Sequence, residues 1–150
     1  HHAQIINSGR GINDAMAAYV ARQVTLKLSS RFSNLKDCRV LVMGTTFKEN
    51  VSDIRNSKVA DVITELKEFG VMVDVVDPHA SRQEIKEEYG FELASSIQGP
   101  YHAILVAVNH REYTELDESY FRSIAHEGAI FADLKGVFRG KVNSFEYWSL

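Results

Sequence analysis

The sequence is short of the residues that most often betray a function. A single cysteine, Cys38, excludes an intramolecular disulfide and fits a reducing compartment, so the expected location is the cytoplasm. No apolar run approaches the ~20 residues that a membrane-spanning helix needs, and no signal-peptide pattern is present. Positive charge is not in excess. Lys and Arg number 17 against 20 Asp and Glu, a net charge of -3, which excludes a global basic field for nucleic acid or an anionic membrane. An anion bound here must be held by a few local groups. The six histidines are scattered without metal-ligand spacing, so no metal is expected. Methionine does not open the chain. It begins at His1-His2, with His1 a candidate tag remnant, and reads as a piece of a longer protein. Internal repeats and low-complexity segments are lacking.

What is present suits one globular domain. The chain has 150 residues, of which 45% are hydrophobic, enough to bury a core without disulfide or metal. Apolar residues Ile12, Met16, Tyr19, Val20 and Val24 recur at three- and four-residue steps, predicting a helix over 12–28 that starts at Asn13-Asp14 or nearer Ser8. Residues 29–34 read as a connector. Arg39 to Gly44 is a continuous apolar run ending in glycine, the pattern of a strand buried on both faces of a parallel sheet. An amphipathic helix is expected over 59–69, stopped by Gly70. Strands are expected at 71–76, 103–108 and 129–134, with short ones at 91–94 and 145–148. Further helices are expected from Ser81 to about Tyr89 and over 116–125. Alternating strands and helices predict right-handed βαβ units. The fold class is therefore α/β: a Rossmann-like three-layer domain with an open, mainly parallel sheet, preceded by one long helix. Residues 1–30 form the linker helix segment and 36–150 the domain.

In such sheets ligands bind at the carboxyl ends of the strands. The loops after Gly44, Asp77, Val108 and Leu134 are the candidate site. The first reads Gly44-Thr45-Thr46-Phe47-Lys48-Glu49-Asn50-Val51-Ser52-Asp53-Ile54-Arg55-Asn56-Ser57. A dinucleotide-binding loop would carry Gly-x-Gly-x-x-Gly here, and only the first glycine is present. Phe47 and Lys48 stand where a backbone would approach a pyrophosphate. Lys48 and Arg55, with the helix N-terminus beyond Asn56-Ser57, still suit phosphate.

This loop resembles the UDP-binding domain of the UDP-glucose/GDP-mannose dehydrogenase family. Gly9-Arg10-x-Ile12-Asn13-Asp14 resembles the start of the family's central helix, which forms the core of a dimer interface. Val73 to Pro78, Ala103 to His110 and Asp133-Leu134-Lys135-Gly136-Val137 match later landmarks in order. Thr-Phe-Lys-Glu-Asn, with Asp-Leu-Lys-Gly later, is more similar to the UDP-N-acetylhexosamine 6-dehydrogenase branch than to the UDP-glucose branch. The resemblance implies that Phe47, Lys48 and Lys135 contact a UDP-sugar and that Arg55 reaches NAD on another domain. Where UDP-glucose enzymes tend to have Arg, Lys135 offers a point charge and not a fork. The implied reaction oxidises a sugar C6 alcohol to a carboxylate while two NAD are reduced, through an enzyme cysteine upstream of the central helix. Cys38 lacks that context, so no catalytic residue is expected in this chain. The implied partners are the UDP-sugar, an N-terminal NAD-binding domain and a second copy through the first helix.

Plainer readings stand beside these. Lys48 is otherwise a solvated lysine, Phe47 core packing, and Arg55 a partner of Asp53 or a helix cap. Asp77-Pro78 reads as a strand-ending turn, His110 as a polar cap on a loop, and Arg10 as an interface or helix-start residue. The Met16, Tyr19, Val20, Val24 stripe is core or dimer interface. Three functions compete: a piece of a UDP-sugar dehydrogenase for surface polysaccharide (N-acetylhexosamine, or alternatively glucose), a non-catalytic nucleotide-binding module, and a dimerisation element.

Overall fold

The structure, a computed structural model, describes residues 13–150. Gly9, Arg10, Ile12 and the earlier helix start near Ser8 lie outside the described residues. The chain begins in α1 (Asp14–Arg31), whose N-cap Asn13 accepts a hydrogen bond from the Met16 amide at 3.0 Å. The helix runs past the expected connector start to Arg31. Its end is anchored by Arg31 Nε donating to the Gly128 carbonyl at 2.7 Å.

A 3-10 turn then leads into β1 (Arg39–Met43), α2 (Val59–Glu68), β2 (Met72–Val76), α3 (Arg82–Tyr89) and β3 (Tyr101–Val106). These are followed by α4 (Arg111–Thr114), α5 (Glu118–Ser123), β4 (Ala125–Asp133) and β5 (Glu146–Ser149). The five strands form one sheet in the order β2-β1-β3-β4-β5, and every pairing is parallel. From β1 the chain goes outward to β2 and then returns to the other side at β3. The topological switch point therefore lies between β1 and β3, and that is where a ligand crevice is expected.

Successive side chains of a strand point to opposite faces, and both faces here are apolar. Val40 and Val42 pack under α1 and α2 with Val20, Val24, Leu28, Val62, Ile63 and Leu66. Leu41 and Met43 face the other layer with Ile104, Val106, Phe121, Phe131 and Phe138. The expected α1 stripe is core: Met16, Val20 and Val24 are buried, and Tyr19 is half-buried 6.2 Å from Trp148.

Three elements differ from expectation. Residues 91–94 form no strand, because the segment makes a single sheet contact, Ala94 N to the Val75 carbonyl at 2.7 Å. The helix expected over 116–125 is shorter, α5 over Glu118–Ser123, because Asp117 caps it by accepting from the Tyr120 amide, and α4 before it was not expected. β4 begins at Ala125, not Ala129. Its polar amino end pairs with Tyr101 across a register shift, outside the apolar run that marks the buried part.

Candidate functional site

The loop after β1 leaves the sheet at Gly44, whose φ of +100° suits glycine. A Cβ there would meet the Val108 Cβ at 2.6 Å, so β1 and β3 loops touch across the switch point. The next two residues turn inward. Thr45 and Thr46 are buried, and both amides donate to Asp77 Oδ2, at 2.6 and 3.2 Å. Asp77 Oδ1 accepts from the amides of His79 and Ala80, at 2.7 and 3.1 Å. The carboxylate at the end of β2 thus ties its own turn to the loop after β1.

His110, at the end of β3, completes the lock. Its Nε2 lies 3.0 Å from Asp77 Oδ2 and 3.3 Å from Thr46 Oγ1, while its Nδ1 accepts from the Asn50 amide at 2.9 Å. Nδ1 is therefore bare and Nε2 carries the proton. Both side chains are fully buried, at 0% exposure. Burial alone would push the Asp77 carboxyl up. The hydrogen bonds from His110, Thr45 and His79 outweigh it and hold the group below its ordinary value. Asn50 turns the chain with a φ of +62°, and its Oδ1 accepts from the Arg111 amide at 2.7 Å. Thr46 Oγ1 donates to the Lys48 carbonyl at 2.8 Å, and the Phe47 amide donates to the Asp53 carbonyl at 2.7 Å.

Between these anchors Phe47 and Lys48 project outward. Phe47 is 53% exposed, the sequel of a buried Thr-Thr pair and not core packing. Lys48 is exposed and makes no ion pair among the described residues. Lys135 stands exposed at the carboxyl end of β4, on a turn organised by buried Asp133. That carboxylate accepts from the amides of Gly136, Val137 and Phe138 and from the Tyr147 hydroxyl. Lys48 and Lys135 follow strands separated only by β3, so their strand ends lie about 10 Å apart. Two basic side chains thus stand over the same edge of the sheet.

Arg55 is placed differently. Its guanidinium is 80% exposed and grips Asp53 through two contacts, at 3.0 and 3.1 Å. The hydrogen bond from Arg55 holds the Asp53 carboxyl below its ordinary value. Arg55 lines a recess of about 450 Å³ with Glu84, Glu87 and Glu88, away from the residues grouped with Lys48. A second groove, of about 740 Å³, has Met43 and Val76 in its floor and Arg82, Tyr113 and Tyr120 in its walls. None of Phe47, Lys48 or Lys135 lines it. Two buried side-chain atoms lack a hydrogen-bond partner among the described residues, Ser57 Oγ and Asn109 Oδ1. Both lie in the loops at the carboxyl end of the sheet. α2 opens without a side-chain cap, leaving its first amides available to an acceptor. No described helix is long and apolar enough to cross a membrane.

The structure puts Phe47, Lys48 and Lys135 at one end of the sheet; Asp77 does make the expected strand-ending turn, through the amides of His79 and Ala80, but its link to the loop after β1 was not expected. His110 does cap a loop, as expected, yet it does so from inside the domain. The signal that could have found the pair is polarity: each closely follows a strand and has a side chain that, once buried, must find a partner indoors.

The model for the UDP binding domain of the UDP-glucose/GDP-mannose dehydrogenase family matches residues 41–140. A UDP-N-acetyl-D-glucosamine 6-dehydrogenase of Pseudomonas aeruginosa is 38% identical over 136 residues, covering 90% of this chain and 32% of that protein. A protein of the same description from Salmonella typhi is 35% identical over 138 residues, covering 91% and 32%. The solved structure of the UDP-N-acetyl-mannosamine dehydrogenase Cap5O from Staphylococcus aureus matches with a TM-score of 0.72 at 25% identity, covering 99% of this chain and 34% of that one. The chain spans about a third of the length of the curated relatives it matches.

Proposed function

The chain belongs to the UDP-glucose/GDP-mannose dehydrogenase family and carries its UDP binding domain, and from that premise we propose that it is the UDP-sugar-binding part of an NAD-dependent UDP-sugar 6-dehydrogenase. The observation that carries the reading is the loop after β1. It is held from inside by hydrogen bonds while Phe47 and Lys48 stand exposed, Lys48 without an ion pair among the described residues. An apolar ring beside a cation suits a nucleoside diphosphate, the ring for a base or sugar face and the ammonium for a phosphate oxygen. Lys135, over the same edge, supplies a second cation. The relatives named above act on UDP-N-acetylhexosamines, which favours that sugar class and a role in making uronic acids for surface polysaccharide in the cytoplasm.

NAD does not fit the β1–α2 loop itself. The loop lacks the second and third glycines that let a backbone approach pyrophosphate, and Gly44 is packed against Val108. Asp77, in the place where an acid would meet a ribose, is buried and engaged by the loop. NAD is therefore assigned to another part of the dehydrogenase, with Arg55 as an exposed contact reaching towards it. No catalytic residue is assigned here. The partners of this reading are that NAD-binding domain and a second copy of the chain. Because the inner stripe of α1 is core, a dimer through this helix uses its outer side, where Ala15, Arg22 and Leu26 are exposed.

Lys48→Ala tests the site directly. UDP affinity, read by titration calorimetry, should fall by about 1.5–3 kcal/mol, the contribution of a charge-assisted hydrogen bond. An unchanged affinity sinks the assignment of Lys48.

A further inference from the structure

We propose that Thr46, His110 and Asp77 are positioning residues for UDP-sugar binding: they fasten the backbone on both sides of Lys48 and so fix the direction in which Phe47 and Lys48 project. The proposal rests on the reading of Lys48 as a UDP contact and adds the machinery that aims it. The hydrogen bonds form one connected chain. Asp77 takes the amides of Thr45 and Thr46. Thr46 Oγ1 holds the carbonyl of Lys48 itself. His110 joins both ends, with Nε2 against Asp77 and Thr46 and Nδ1 against the Asn50 amide. Asn50 in turn is held by the amide that opens α4.

The arrangement spans three strand ends, β1, β2 and β3, and its contacts between them join residues 31 to 64 apart in sequence. The exposed stretch over residues 47–50 would otherwise need to be ordered by its ligand. Ordering it in advance removes that cost from binding. The lock also depends on one tautomer of His110. With Nδ1 protonated, the ring could no longer accept from Asn50.

Three substitutions separate the arms of the lock in this chain. Thr46→Val keeps the shape and removes the hydroxyl that holds Lys48. His110→Gln offers an amide donor towards Asp77 and loses the acceptor for Asn50. His110→Asn does the reverse. The first readout needs no ligand. Nitrogen-15 relaxation over residues 46–50 should show a loosened loop in Thr46→Val and His110→Gln, with β1 and β3 amides still protected. The wild-type imidazole shifts should show Nδ1 bare and Nε2 protonated. Unchanged loop order, or a proton on Nδ1, overturns the proposal. If a His110 variant does not fold, Thr46→Val decides alone.

The second readout is a mutant cycle with Lys48→Ala and UDP. Thr46→Val should weaken UDP by about 3- to 10-fold in the wild-type background and have little effect once Lys48 is gone. Additive losses would show that Thr46 and His110 do not act through Lys48. If Lys48→Ala alone leaves affinity unchanged, the UDP-contact reading fails, and the ligand-free loop order still judges the lock by itself.

Discussion

The Asp77 carboxylate is buried, and hydrogen bonds from His110, Thr45 and His79 hold it there. Burial raises its carboxyl, and the contacts from His110, Thr45 and His79 pull it lower still, leaving it below its ordinary value. A carboxyl lowered in the folded state stabilises at pH values above its unfolded pKa. That contribution is lost as pH falls through the folded pKa. The loop lock should therefore hold at neutral pH and fail only as pH falls below the range of an ordinary aspartate. The carboxyl carbon shift of Asp77 and the amide shift of Thr45, followed together by NMR, should share a midpoint below that of an exposed aspartate. A midpoint at or above the ordinary value contradicts the account. At this scale the sequence was half legible. Lys48 and Lys135 could be placed because each follows an apolar strand, and strand ends are where ligands meet open sheets. The Asp77–His110 pair was not legible as a pair, because nothing local indicates that two loops 33 residues apart in sequence will meet.

At the scale of elements, periodicity carried most of the fold. β1 and α2 appear within a residue of their expected bounds, because a doubly buried strand and an amphipathic helix leave strong patterns. α3 was legible from its caps: Ser81 accepts from the Glu84 amide, and Gly90 ends the helix at φ +83°. The misses fall where the pattern is weak. α4 is one turn long, and the amino end of β4 is polar and exposed at His126 and Glu127. The aromatic cluster between them was invisible to periodicity. Phe121 packs edge-on against Phe131 at 4.8 Å and Phe138 at 5.3 Å, joining three separate segments. The role of α1 gives a stability prediction. Leu28 is fully buried among residues of β1 and α2. Leu28→Ala should cost about 2–5 kcal/mol, as for a large side chain cut from a packed core. The midpoint of urea unfolding measures it. A loss near zero would mean that α1 is only attached to the domain and not part of its core.

For the whole molecule, the sheet provides the scaffold and one edge provides the chemistry. The loops after β1 and β4 present cations, residues after β2 and β3 hold the β1 loop while Asp133 holds the β4 turn, and the loop that would cradle a dinucleotide is filled. On the proposed reading, this chain is the substrate part and the cofactor part lies elsewhere in the dehydrogenase. Arg55→Ala in that dehydrogenase should raise the KM for NAD while leaving UDP-sugar binding near its original value. Steady-state kinetics varying each substrate in turn would reveal it, and unchanged NAD kinetics would remove Arg55 from the cofactor contacts. The most direct test of the central claim is an NMR titration of this chain with UDP, a UDP-N-acetylhexosamine and NAD in parallel. Shifts at Thr46, Phe47, Lys48 and Lys135 with the uridine ligands, and little with NAD, are the predicted result; preferential binding of NAD would contradict the account and make this a cofactor domain with an unusual loop.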